Sequence, residues 1–359
     1  MMRNFFKFFA GLISFLIIGC SSPEHYSKQI TKADQFILNT LNENHLPGIS
    51  ITILKDGNKI YSKGFGYADI DEKRKILPSS TRFRIGSISK TLAASALMKL
   101  VEEGKINLDS SVYYYVPDYP KKRWKFTSRQ IAGHLSGIRH YIGDEMMINK
   151  NFLNVKDALS VFKMDSLLHE PDTKYHYSTH AWTLLSMVIE NASGESFLDY
   201  IQTNVFDLLD MKNTHAEKKN LIGVEKVSYY LLDSTKTAIL EPEVNNSWKW
   251  AGGGFISTTE DVAKFLWAHS NYNYLNEKSI KEMITPQKTM DGESSNYGIG
   301  WETFYDKNNN PLIGHTGGSI GGTSYAFMAP HSNTIVVMTT NLSDASFGDL
   351  ANDLFELFE

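Results

Sequence analysis

Strand-forming segments lie at the two ends of this 359-residue chain and helix-forming segments fill the middle, so a single sheet has to be assembled from sequence-distant pieces. Residues 49–55 alternate in character, Asp56 and Gly57 mark a turn, and residues 59–67 continue in strand-like residues, together a β-hairpin signal. Strand signals return only at 298–304, 312–316, 323–329 and 334–340, with a turn at 330–333 between the last two. Amphipathic helices are expected at 27–44 and 347–358. Between the strand groups, helical patterns are read at 90–103, 128–135, 156–168 and 178–192, and Ser257 with Glu260 suggests a capping box for a helix at 261–269. The expectation is an α and β fold: an antiparallel sheet flanked by helices, with an all-helical insertion. Residues 28–87 and 270–359 would form the α/β domain and 88–269 the mainly helical one.

The N-terminus has a different character. Arg3 and Lys7 precede an apolar run of eleven residues at 8–18, too short to span a bilayer comfortably but suited to a signal-peptide core. Ile17, Ile18, Gly19 and Cys20 resemble a lipobox, and Cys20 is the only cysteine. Residues 1–19 are therefore expected to be a lipoprotein signal peptide, Cys20 the lipidation site and 20–27 a linker. The body would then sit in the cell envelope, held to the membrane by an N-terminal lipid and facing the periplasm. Hydrophobic content of 42% and charged content of 21% are those of a soluble globular body. With a net charge of −4 and no clustering of basic residues, nucleic acid is excluded as a main partner.

Candidate chemistry starts at Ser87 and Lys90. Ala93, Ala96, Leu97, Leu100 and Val101 mark one helix face ending at Gly104, which puts Ser87 at the helix N-terminus and Lys90 on the same face. A hydroxyl beside an amine at a partly positive helix end suits acyl chemistry. Ser-x-x-Lys is weak alone, since Ser160 and Lys163 repeat it without partner motifs. Tyr177 precedes another helix, at a position where a phenol can face a cleft and relay a proton. His315, Thr316, Gly317 and Gly318 end a strand, and the Gly318 amide can donate to an oxyanion. Two decoys weaken on inspection. Gly317 to Gly321 matches Gly-x-Ser-x-Gly, but no helix follows. His176 and His180 have i, i+4 spacing but lack a third ligand.

Taken in order, Ser87-Ile88-Ser89-Lys90, Tyr177-Ser178-Thr179 and His315-Thr316-Gly317 resemble the three motifs of the penicillin-recognising serine hydrolases, the class C β-lactamase-like family. Supporting stretches at 134–138, 252–261 and 297–301 also look like this family, and the run at 136–141, the tyrosine motif ending in Thr179 and the His315-Thr316-Gly317-Gly318 form look most like its mitochondrial β-lactamase-like branch and the bacterial relatives of that branch. The resemblance implies a nucleophilic Ser87, proton transfer shared by Lys90 and Tyr177, an oxyanion hole from the amides of Ser87 and Gly318, and substrate contacts at Thr179, His315, Thr316 and Gly317. It implies no cofactor and no metal. Thr179 replaces the usual asparagine and His315 the usual lysine, so peptidase, esterase or D,D-carboxypeptidase action on a small peptide, amide or ester is favoured over efficient β-lactam hydrolysis. The competing reading is a non-catalytic binding or scaffolding lipoprotein that uses the same cleft as a ligand pocket.

Overall fold

The computed structural model describes residues 23–218 and 223–359; the apolar run at 8–18 and Cys20 lie outside them. Its centre is a seven-stranded antiparallel sheet made from both chain ends. In chain order the strands are β1 (Gly48–Lys55), β2 (Asn58–Asp69), β3 (Arg74–Lys75), β4 (Glu302–Tyr305), β5 (Pro311–Ser319), β6 (Gly322–Ala329) and β7 (Thr334–Thr340), arranged β3-β2-β1-β7-β6-β5-β4. The two halves join where β1 pairs with β7, Ile49 opposite Thr340 and Lys55 opposite Thr334. Asp56 and Gly57 both take positive φ, 49° and 77°, which suits the tight two-residue hairpin between β1 and β2.

Strand periodicity sorts side chains into two cores. Ile49, Ile51, Ile53, Val336 and Met338 face one side, where α1 (Ser27–Glu43) and α5 (Leu350–Phe358) cover them with Ala33, Ile37, Leu354 and Phe355. Leu54, Ile335 and Val337 face the other side and join the larger core of the middle segment. Helix α4 (Thr259–Ser270) lies against that face, and Thr259 Oγ1 lies 2.9 Å from both Ser50 Oγ and Thr52 Oγ1. Two further helices carry the site, α2 (Ser89–Glu102) and α3 (Thr179–Ser193). Ser178 caps α3 by accepting from the Ala181 amide, and Gly194, left-handed at φ 78°, ends it. Among the described residues no helix is long and apolar enough to cross a membrane.

Three local expectations differ from the structure. Residues 156–168 form only Val155–Ala158 and a 3₁₀ turn at Leu159–Val161. The carbonyls of Lys163 and Asp165 accept from Lys122 Nζ, which holds the chain out of helical register. The cap of α4 is Thr258, accepting from the Asp261 amide, because Ser257 belongs to a short strand opposite Phe83 and its hydroxyl bonds Thr214. The strand at 298–304 shrinks to β4: Gly300 turns at φ 79°, and a Cβ there would meet Trp182, Ala94 and the Lys90 carbonyl within 3.0 Å.

Because α5 closes one core through Leu354, which is fully buried, Leu354→Ala is expected to cost about 2–5 kcal/mol of unfolding free energy. Urea denaturation reads it, and a loss well under 1 kcal/mol would contradict the packing.

Candidate active site

The site lies where the end of β5 meets the N-terminus of α2. Phe83–Arg84 forms a short strand, and residues Gly86–Ile88 make one 3₁₀ turn that runs straight into α2. Gly86 has φ +49°, and a Cβ on it would lie 2.7 Å from both the N and the O of Gly318. Only a glycine lets the turn that carries Ser87 approach β5 this closely. Gly317 is equally constrained, its would-be Cβ falling 2.2 Å from the Ile85 carbonyl oxygen, whereas at Gly318 the Cβ direction is open space. Ser324 Oγ ties the layers together by donating to the Ile85 carbonyl at 2.9 Å.

Three side chains converge here. Ser87 Oγ, partly exposed, lies 2.9 Å from Lys90 Nζ and accepts from Tyr177 O–H at 2.8 Å. Lys90, fully buried, also donates to the Gly252 carbonyl at 2.6 Å and reaches Thr179 Oγ1 at 3.3 Å. Burial pushes its ammonium well below the ordinary lysine range; the charge of Lys249 adds to this and Glu302 opposes it. Burial likewise pushes the Tyr177 phenol well above its ordinary range, against the Ser87 hydrogen bond. Burial thus favours the neutral form of each group. Tyr177 is oriented by His134, whose ring lies 4.2 Å from it and whose Nδ1 accepts from the Ser178 amide at 3.0 Å.

The third stretch behaves differently from a cation site. His315 is buried, and its Nε2 lies 2.8 Å from Tyr297 O–H while Nδ1 contacts the Thr316 carbonyl. Burial lowers its pKa although Glu302 works the other way, so the ring is neutral at pH 7. Thr316 gives both its amide and its hydroxyl to Glu302, at 2.8 and 3.1 Å. Gly318 is exposed toward the cleft, while Gly317 and Thr179 are buried.

The other sequence candidates fall away from this cluster. Ser160 is exposed and donates to the Asp157 carbonyl. His180 pairs with Glu145 and Arg139, apart from His176. Gly317-Gly318-Ser319 remains in a strand that turns back as β6. Asp306, His331 and Glu359 place potential ligand atoms within 4.8 Å of one another at the opposite end of β5; Asp306 is already engaged by the amides of Asn308 and Asn310. Sequence reasoning passed over Gly252, Tyr297 and Glu302 as individual contributors. Gly252 acts through its backbone, which no side-chain motif reveals, and Glu302 is a lone acid in a strand.

Fold and site together define a serine hydrolase of the β-lactamase type. The chain belongs to the β-lactamase family: the family model described as Beta-lactamase matches residues 33–357. The mitochondrial serine β-lactamase-like protein LACTB of Homo sapiens is 29% identical over 400 residues, covering 85% of this chain and 73% of that protein. An octameric penicillin-binding protein homologue from Pyrococcus abyssi superposes with a TM-score of 0.77 at 27% identity, over 91% of this chain and 76% of that one. The D-amino acid amidase of Ochrobactrum anthropi SV3 shares the fold, with a TM-score of 0.77 at 21% identity over 91% and 98% of the two chains.

Gly86→Ala is expected to separate the nucleophile turn from β5. Ester hydrolysis should fall about tenfold or more and stability by about 1–3 kcal/mol, read by initial rates and thermal melting. An equally stable, fully active variant would contradict the close approach.

Proposed function

We propose that this protein is a lipid-tethered serine hydrolase that works through an acyl-enzyme on a small amide or ester, with peptidase or esterase action favoured over efficient β-lactam hydrolysis. The observation that carries this reading is the enclosed contact of Ser87 with both Lys90 and Tyr177, at 2.9 and 2.8 Å. A neutral amine has two N–H bonds and one lone pair. As the ammonium, Lys90 donates to the Gly252 carbonyl, Thr179 Oγ1 and Ser87 Oγ; once it loses the proton aimed at Ser87, the first two keep its N–H bonds and the lone pair faces the Ser87 hydroxyl. Lys90 is therefore the base for attack, and Tyr177, a neutral phenol, is the acid beside it.

Ser87 Oγ forms its bond to the substrate carbonyl carbon as its proton passes to Lys90 Nζ. The carbonyl electrons move onto oxygen, stabilised by the amides of Ser87 and Gly318. Collapse restores the carbonyl and breaks the C–N or C–O bond. The leaving atom takes a proton from Tyr177, and the proton held on Lys90 then passes to the Tyr177 phenolate. Water then repeats the sequence in reverse and releases the acid.

Two features support the preference against β-lactams. His315 is neutral and committed to Tyr297, so it offers no fixed cation to a β-lactam carboxylate. Thr179 is turned to Lys90 and lacks an amide to hold a substrate amide. The amidase neighbour fits an amide as one candidate substrate class. For the tether, the support is the Gly19-Cys20 junction after an apolar core.

Four outcomes test this reading. With 4-nitrophenyl butyrate, Ser87→Ala should lose about a thousandfold or more in kcat/KM, and residual activity near wild type would place the nucleophile elsewhere. The acid limb of the wild-type profile should rise as Lys90 loses its proton and flatten well below pH 10.5, its ordinary value. Lys90→Arg, which cannot be neutral, should lose about a hundredfold or more across that range, and a rate still climbing at pH 10 would rule out Lys90 as the base. Cys20→Ala should move the protein from the membrane to the soluble fraction of cells, and continued sedimentation with membranes would refute the lipid.

A further inference from the structure

We propose that Lys249 is the anion receptor of this site, pairing with a carboxylate carried by the substrate in place of the cation that position 315 does not supply. The inference rests on the hydrolase reading for the reaction it serves, while the binding itself is independent of it. Lys249 lies in the aromatic, glycine-rich segment just before Gly252. Its carbonyl accepts from the amides of Gly252 and Gly253 at 3.0 and 2.8 Å, so its backbone belongs to the same turn whose Gly252 carbonyl holds Lys90. Only 3% of the residue is exposed.

Its ammonium stands over two rings, 5.3 Å from the centroid of Tyr141 and 5.2 Å from that of Trp248. Among the described residues, no hydrogen-bond acceptor for it is found. The nearby carboxylate that influences it, Glu217, is already filled: Arg84 Nε donates to both its oxygens, Tyr229 O–H to Oε1 and Asn246 Nδ2 to Oε2. Taking an ammonium out of water is costly, and cation–π contacts offset part of that cost without replacing a hydrogen-bonded counter-ion. The deficit shows in Lys249 itself, where burial lowers the pKa to about 8, with the charge of Arg84 adding and Glu217 opposing. A largely buried ammonium with aromatic faces and no acceptor of its own is open to an anion from outside the chain.

The surroundings connect this cation to the nucleophile. Tyr141 stacks on His140 at 4.1 Å, and the His140 ring stands 5.5 Å from Tyr177, a continuous aromatic wall from Lys249 to the group that bonds Ser87. A Cβ on Gly253 would meet the Gly86 backbone at 3.7 Å, an ordinary van der Waals contact, so the turn that carries Lys249 lies directly against the turn that carries Ser87. The chemistry selected is a substrate with a carboxylate a few bonds from the scissile carbonyl, of which glutaryl half-esters are a simple probe.

The test separates binding from turnover. In the Ser87→Ala background, glutarate binding is measured by isothermal titration, and adding Lys249→Met should weaken Kd about tenfold or more while adding Lys249→Arg instead restores it to within about threefold. For enzymes with Ser87 intact, the ratio of kcat/KM for 4-nitrophenyl hydrogen glutarate over 4-nitrophenyl butyrate should fall about tenfold in Lys249→Met, with melting curves confirming that it folds. Equal glutarate affinity with and without Lys249, or no binding at all, overturns the proposal. Wild-type turnover of the butyrate ester without preference for the glutarate ester also overturns it and leaves the hydrolase intact. Lys249-dependent glutarate binding by a protein that hydrolyses neither ester would overturn the hydrolase and keep the anion receptor.

Discussion

The contact between a desolvated lysine and a serine hydroxyl is the constraint that the rest of this molecule serves. In water Lys90 would hold its proton and be useless as a base at neutral pH; enclosed, it is pushed toward the neutral amine. That enclosure needs walls on every side. They come from α2 beneath, Thr179 at the start of α3, the Gly252 turn, and the Tyr177 ring, whose centroid lies 4.8 Å from Nζ. Thr179 and Gly252 are small where they approach Lys90.

The split of the sheet between the chain ends follows from the same demand. β1 and β2 begin the sheet, the middle segment leaves to build the helical side of the cleft, and β4 to β7 return to complete it. The turn that carries Ser87 therefore sits at the junction, with Gly86 pressed on Gly318 of β5 and Tyr177 delivered from the far side by the cap of α3. A site built across this junction gathers Ser87, Tyr177 and Gly318, which are far apart in sequence. Side chains on the two sheet faces belong to separate cores, so the face carrying α1 and α5 can support the strands without intruding on the chemistry.

Much of this was legible in the residues. The β1–β2 hairpin, the two terminal helices and the α2 and α3 helices are set by local periodicity and turn chemistry, and a sheet joining both ends follows from where the strands lie. The convergence of Ser87, Lys90 and Tyr177 was anticipated through helix spacing and through the order of three motifs. What stayed hidden depends on tertiary contacts. The helical pattern at 156–168 yields to Lys122, whose amine takes carbonyls there. Position 315 reads as a substrate contact in sequence, yet its ring is buried against Tyr297. Gly252 contributes a carbonyl and Lys249 an enclosed charge, and neither role has a spacing rule that announces it.

The central claim is that Ser87 is a nucleophile made reactive by its enclosed neighbours. Mass spectrometry of proteolytic peptides after fluorophosphonate treatment of the folded protein tests it most directly. The account predicts one phosphonyl adduct, on Ser87, formed rapidly in the wild type and slowed strongly in Lys90→Met. An adduct on another residue, or an unmodified Ser87 in folded protein, would contradict it.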